Sequence, residues 1–210
     1  MEKKLLLCLF ILAQFINAKT THDLVCVKTI NPTIKKDLWY ATKHNIAQKD
    51  IYGKAACAYL QPEVAQALSN AQKELNKLGL GIKIWDAYRP FPAQCNLFEA
   101  VSDPQYVSRP SKQGFCPHTR GGAVDATLIN LKTGKELKMP TKFDDMSPRA
   151  HSNNMDLPDQ AIKNRTLFHK IMKKHGFNNY KGEWWHFNYK KVHDYPIMDI
   201  NFEDLKGVKK

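Results

Sequence analysis

The chain has 210 residues, 43% of them hydrophobic and 25% charged, with a formal net charge of +12. That length supports one sizeable core, and that composition excludes global disorder. The positive excess reads either as solubility or as attraction to anionic wall or membrane polymers, while the lack of a basic helix with interleaved aromatics speaks against nucleic acid as a partner.

Residues 1–18 open with Lys3 and Lys4, continue through an apolar run from Leu5 to Ile16, and end on the small residue Ala18. This is the pattern of a secretory signal peptide. The run is too short to cross a bilayer, which takes about 20 residues. The mature domain is then 19–210, exported, with the periplasm as the simplest location and release outside the cell as the alternative. Losing Glu2, Lys3 and Lys4 removes two positive charges and one negative, leaving +11. No stable membrane insertion is expected after cleavage. Cys26, Cys57, Cys95 and Cys116 remain, and four cysteines allow three pairings. None has CxxC spacing, so a thiolate zinc site is not expected.

Leu24-Val25-Cys26-Val27 reads as an edge strand, and Leu38-Trp39-Tyr40 and Asn45-Ile46 as wall pieces near a site. Gln61 to Leu78 is the clearest helix: Pro62 suits its first turn, and Val64, Ala67, Leu68, Ala71, Leu75 and Leu78 form one apolar face. Gly79 stops it. Leu80 to Ala87 follows as a strand with Leu80, Ile82, Ile84 and Asp86 on one side, ended by Arg89-Pro90-Phe91-Pro92. Gln94 to Val101 is a short helix, and Ser102 to Pro117 an irregular loop. Gly121 to Leu128 is a strand with Val124, Ala126 and Leu128 toward the core and Ala123, Asp125 and Thr127 on the other face. Lys132-Thr133-Gly134 signals a hairpin turn, with Lys135 to Met139 returning. Pro158 to His175 is a second helix, with Ile162, Phe168, Ile171 and Met172 inward. Trp184 to Tyr189 is the last strand. This order predicts a single α+β domain with a mainly antiparallel central sheet flanked by helices.

Two stretches carry chemistry, His118 to Asp125 and Glu183-Trp184-Trp185-His186. Asp125 stands in an apolar strand, where an unpaired carboxylate is costly. It is either a metal ligand, or else half of a salt bridge or a turn cap. Gly121-Gly122 lets the chain bend so that His118 can converge with it. His186, among aromatics, is either a third ligand or a hydrogen-bonded core histidine. Taken together, His118, Asp125 and His186 give three protein ligands for one zinc per chain on the sheet, with a position left for water. Glu183 is the spare carboxylate that takes the water's proton. Strict alternation would point it away from His186, so it must stand at the strand entrance, out of register. Arg89, beside Pro90 at a strand end, is the candidate for stabilising an oxyanion, the alternative being a surface arginine.

The sequence resembles the D-alanyl-D-alanine dipeptidases, the VanX-type zinc peptidases, which are related to zinc D,D-carboxypeptidases. The resemblance is carried by Trp85-Asp86-Ala87-Tyr88-Arg89-Pro90, the His118 to Asp125 run with Leu128, Phe143-Asp144-Asp145-Met146-Ser147 with Ala150-His151, and Glu183-Trp184-Trp185-His186-Phe187. It implies the same zinc ligands, glutamate base and arginine. It also implies that Asp144 binds the free ammonium of a small D-amino-acid dipeptide; on its own Asp144 reads as a solvated loop acid. Many members place a substrate-contacting serine two residues before the first ligand. Here that residue is Cys116, a poor hydrogen-bond donor, and pairing with Cys95 would remove even that. The implied activity is hydrolysis of D-Ala-D-Ala in peptidoglycan metabolism. The alternatives are a D,D-carboxypeptidase or endopeptidase acting on longer wall peptides, and a non-catalytic zinc-containing module that binds wall or protein.

Overall fold

The computed structural model describes residues 24–206. The signal-peptide reading of residues 1–18 therefore falls outside the described residues. Within them, no helix is long and apolar enough to cross a membrane. In chain order the main elements are β1 (Val25–Cys26), α1 (Val27–Ile30), β2 (Lys35–Lys36), β3 (Tyr59–Leu60), α2 (Pro62–Asn76) and β4 (Leu80–Asp86). They continue with α3 (Phe91–Val101), β5 (Ala123–Asn130), α4 (Asp159–Lys174), β6 (Phe177–Asn179) and β7 (His186–Tyr189).

One five-stranded sheet, in the order β2-β4-β5-β7-β6, forms the middle layer. Only the β2–β4 pair is parallel; β4–β5, β5–β7 and β6–β7 are antiparallel. The α+β expectation with a mainly antiparallel sheet is met. The apolar stripes of α2 and α4 cover one face, where Val64, Leu68, Leu75, Phe168 and Met172 meet Ile82, Ile84, Val124, Ala126 and Leu128. The other face carries a second cluster rich in rings, in which Trp85 stacks on Phe143 with centroids 5.0 Å apart and Trp184 lies edge-on to Trp85. Alternation along β5 explains the split: the even residues feed the helix side and Asp125 is left on the aromatic side.

Several expectations change in detail. Segment 24–27 supplies only a two-residue strand, paired with β3 in a separate ribbon, before the chain turns into α1. Helix α2 ends at Asn76, so Leu78 leaves the helical stripe and stands 54% exposed. The turn at Gly134 forms as expected, with Asn130 Oδ1 accepting from the amides of Lys132 and Thr133 at 3.0 Å. Its return, however, is a single bridge between Ile129 and Glu136 rather than a strand. Ile162 is half-buried, and Ala161, Asn164 and Arg165 take the inward places beside Phe168 on α4. Of the three cysteine pairings, the structure contains Cys26–Cys57 and leaves Cys95 and Cys116 free.

The change that matters most lies in β4. Ile84 pairs with Ala126, yet Asp86 pairs with Asp125, so Trp85 is an extra residue in the ladder. A bulge of this kind reverses the side-chain phase. Asp86 does not share a face with Ile82 and Ile84; it crosses to the aromatic side beside Asp125.

Candidate metal centre and active-site cleft

Three side chains converge on the aromatic face of the sheet. Asp125 on β5 and His186 at the start of β7 are direct cross-strand partners. His118 comes from a 3-10 turn, His118–Arg120, that precedes β5. That turn closes through Gly121, whose φ of +63° is left-handed and whose amide donates to the His118 carbonyl at 2.9 Å. A Cβ there would meet only the end of the Leu24 side chain, at 2.6 Å, so it is the backbone conformation that calls for glycine.

The donor atoms lie within 4.8 Å of one another, and all three residues are buried. His118 Nε2 is 3.2 Å from His186 Nδ1, His186 Nδ1 is 2.9 Å from Asp125 Oδ1, and His118 Nε2 is 3.4 Å from Asp125 Oδ2. Ligands about 2.0–2.1 Å from a tetrahedral zinc sit roughly 3.3 Å apart, so the spacing of the set fits that ion. The outward nitrogens are engaged as well: His118 Nδ1 meets the Ala87 carbonyl at 2.7 Å, and His186 Nε2 meets Asn188 Oδ1 at 2.9 Å. Outer partners of this kind orient ligating imidazoles. Burial pushes Asp125 toward its neutral form, but His118 and His186 outweigh it and hold the carboxyl well below the usual range. Burial likewise disfavours the His118 cation, yet Asp125 and Asp86 raise its pKa above the ordinary histidine value. The two shifts are mutual: carboxylate and imidazole each favour the charged form of the other.

Glu183 stands three residues before His186, in the turn ahead of β7 rather than on the strand. Its carbonyl accepts from the Ser152 hydroxyl at 3.1 Å and from the His186 amide at 3.4 Å. Its carboxylate therefore faces the cluster, with Oε2 4.0 Å from His186 Nδ1. The out-of-register placement required of it is present. Burial, with Asp125 and Asp144 adding negative charge, pushes Glu183 up to about 8 despite the opposing pull of His186.

Arg89 is buried rather than a surface residue. Its Nη2 donates to Asp86 Oδ2 at 2.7 Å, its Nε to the same oxygen at 3.2 Å, and its Nη1 to Gln94 Oε1 at 2.9 Å. Asp86 Oδ1 in turn accepts from the Tyr52 hydroxyl at 2.6 Å and the Ala87 amide at 2.9 Å. A guanidinium has five N–H donors, so one N–H on each terminal nitrogen stays uncommitted. The Arg89 amide also donates to the His118 carbonyl at 3.2 Å, which ties the arginine to the cluster.

A cleft of about 250 Å³ joins these groups, and Arg89, His118, Asp125, Asp144, Glu183 and His186 all line it. Asp144 enters from the 140s loop with φ +57°, an uncommon conformation for an aspartate, and accepts from the Tyr40 hydroxyl at 3.0 Å. Burial, together with the charge of Asp125, pushes its carboxyl up to about 7. Cys116 is the exception among the expected site residues. It is buried with Sγ 3.4 Å from the Arg109 carbonyl, and its neighbours Phe115 and Pro117, not Cys116 itself, line the cleft.

Asp86 and Asn188 belong to the site although sequence reasoning gives them no role. The signal for Asn188 is its parity with His186 along β7. For Asp86 the parity signal points the wrong way because of the bulge at Trp85.

Two imidazoles and a carboxylate on a buried sheet face, with a spare glutamate and an arginine in one cleft, define a metallohydrolase-type site on an α+β scaffold. Residues 20–203 match the peptidase M15 family, described as D-ala-D-ala dipeptidase, and the chain belongs to this metallopeptidase family. It is 37% identical over 182 residues to the D-alanyl-D-alanine dipeptidase of Escherichia coli K12, covering 87% of this chain and 92% of that one. It is 30% identical over 188 residues to the enzyme of the same name from Enterococcus faecalis V583, covering 80% and 91%. Among solved structures, VanYB in complex with D-alanine-D-alanine aligns at a TM-score of 0.42 and 12% identity, over 73% of this chain and 86% of that one.

Proposed function

We propose that the protein hydrolyses the dipeptide D-Ala-D-Ala, using one zinc ion held by His118 Nε2, Asp125 and His186 Nδ1. The observation that carries this reading is the placement of Asp144 in the same cleft as the ligand cluster. A carboxylate there can receive the ammonium of a free dipeptide, a group that longer wall peptides lack at that point. The modest size of the cleft and the names of the relatives support the same substrate.

A zinc ion held by His118, Asp125 and His186 would supply a Lewis acid and would bring the pKa of a water to about 7. Glu183 is placed to accept the proton of a water as it adds to the peptide carbon. Arg89, clamped by Asp86 and Gln94, offers its uncommitted N–H groups to the oxygen that gains charge. Glu183 then passes the proton to the departing nitrogen, the C–N bond breaks, and two molecules of D-alanine leave. Asp144 holds the substrate ammonium throughout, positioned by Tyr40.

We further infer that residues 1–18 direct export and that the mature domain, 19–210, acts on wall fragments in the periplasm. N-terminal sequencing of protein from cell fractions checks this, and a chain beginning at Met1 in the cytoplasm would overturn it.

The test of function is hydrolysis of free D-Ala-D-Ala by the zinc-loaded chain beside Glu183→Ala. Activity that vanishes in the variant supports the whole reading. A wild-type chain that holds zinc but leaves the dipeptide intact sinks it and turns attention to longer wall peptides.

A further inference from the structure

We propose that Asn188 is the positioning residue that commits His186 to binding metal through Nδ1. The inference rests on the reading of His118, Asp125 and His186 as the ligand set. His186 turns Nδ1 toward Asp125 Oδ1 at 2.9 Å and His118 Nε2 at 3.2 Å. An imidazole that ligates through Nδ1 as a neutral ring must carry its proton on Nε2. That nitrogen meets Asn188 Oδ1 at 2.9 Å, its one hydrogen-bond partner among the described residues.

The amide oxygen can only accept. It therefore stabilises the Nε2–H tautomer and frees the Nδ1 lone pair for the ion. Were the amide turned about so that its NH2 faced the ring, Nε2 would have to accept, Nδ1 would hold the proton, and the ligand would be lost. The orientation of one amide thus selects the binding form of the ring.

The strand makes the contact reproducible. Residues two apart on a strand project to the same face. Asn188 is paired on both sides, with Ala123 on β5 and Asn178 on β6, so its Cβ direction is fixed by two ladders. His118 uses the opposite arrangement, with Nδ1 on a backbone carbonyl and Nε2 toward the cluster. Of the two outer hydrogen bonds, the one to Asn188 has a side-chain acceptor and can be removed by substitution; on His118 the backbone carbonyl is the nearer partner, with Asp86 Oδ2 at 3.5 Å.

The test is zinc affinity, measured by competition with a chromophoric chelator on wild type, Asn188→Leu, Asn188→Asp and His186→Ala. Asn188→Leu keeps the shape and removes the acceptor. It should bind zinc about 10- to 100-fold more weakly, with the metal-free melting temperature unchanged. Asn188→Asp keeps an acceptor and should bind at least as tightly as wild type. Zinc affinity of Asn188→Leu within threefold of wild type, while His186→Ala loses the ion, overturns the proposal. Equal zinc binding by His186→Ala and wild type overturns the ligand set itself, which separates the two failures. Nitrogen-15 histidine spectra of the zinc-loaded wild type decide the matter without any variant. A protected proton on His186 Nε2 is the expected result, and a proton on Nδ1 refutes the proposal.

Discussion

Replacing Asp144 by asparagine separates substrate recognition from catalysis. The carboxyl is raised from the usual 3.8 to about 7, with burial the largest cause and the charge of Asp125 adding to it. An acid whose folded pKa is raised stabilises the fold while it is neutral. That contribution is complete below pH about 4 and is lost as pH rises through about 7. The asparagine side chain does not titrate, so the metal-free variant should gain on wild type across this window. The slope is at most about 1.4 kcal/mol per pH unit. Three units give a ceiling of about 4 kcal/mol, which water at the half-buried side chain reduces. Urea unfolding at pH 4.5 and pH 8 reads the difference. Catalysis moves the other way. Removing one partner of a buried charge pair costs about 2–5 kcal/mol, or about 30- to 5,000-fold in kcat/KM for D-Ala-D-Ala. N-acetyl-D-Ala-D-Ala has no ammonium, so the variant should lose most of the wild-type preference for the free dipeptide. A variant that keeps that preference at pH 8 would refute the assignment of Asp144 to the ammonium.

Glu183→Gln should hold zinc as wild type does and lose about 10²- to 10⁴-fold in kcat; zinc titration and steady-state kinetics check both halves, and an active variant ends the general-base role. Arg89→Met strands Asp86, which is fully buried, without its cation; destabilisation by about 3–5 kcal/mol in denaturant is expected, together with a fall in kcat. Cys26→Ser with Cys57→Ser opens a loop of 31 residues, and chain entropy predicts a loss of about 3–4 kcal/mol. Thermal unfolding of the double variant, compared with wild type under reducing and oxidising conditions, measures it.

Much of the candidate site is legible in the sequence because its residues break local patterns. Asp125 is a charge in an apolar strand, and the glycines after His118 announce a turn. Glu183 is placed by contradiction: strict alternation denies it the cleft, so it has to precede the strand, and β7 does begin at His186. What cannot be read depends on partners. The bulge at Trp85 is set by the register between β4 and β5, and no spacing along β4 reveals it. Parity along β4 therefore assigns Asp86, and with it the Asp86–Arg89 clamp, to the wrong face. Cys26 and Cys57 meet because β1 and β3 pair, a contact between segments with little periodic signal of their own. Leu78 fits the helical stripe by count but lies past the point where α2 ends.

The pairing of Asp125 with His186 has a consequence for assembly. These two donors are 61 residues apart in sequence, and they meet only if β7 docks on β5 in one register. A slip by one residue would swing Phe187 into the cleft and His186 into the helix-side core. Such a misaligned chain would still bury a hydrophobic strand, but it would own no donor triad. The free energy of capturing an ion at this cluster would accrue to the properly aligned chain alone. A cation bound there would in this sense be a proofreader of folding, rewarding one alignment of the last strand over its near neighbours.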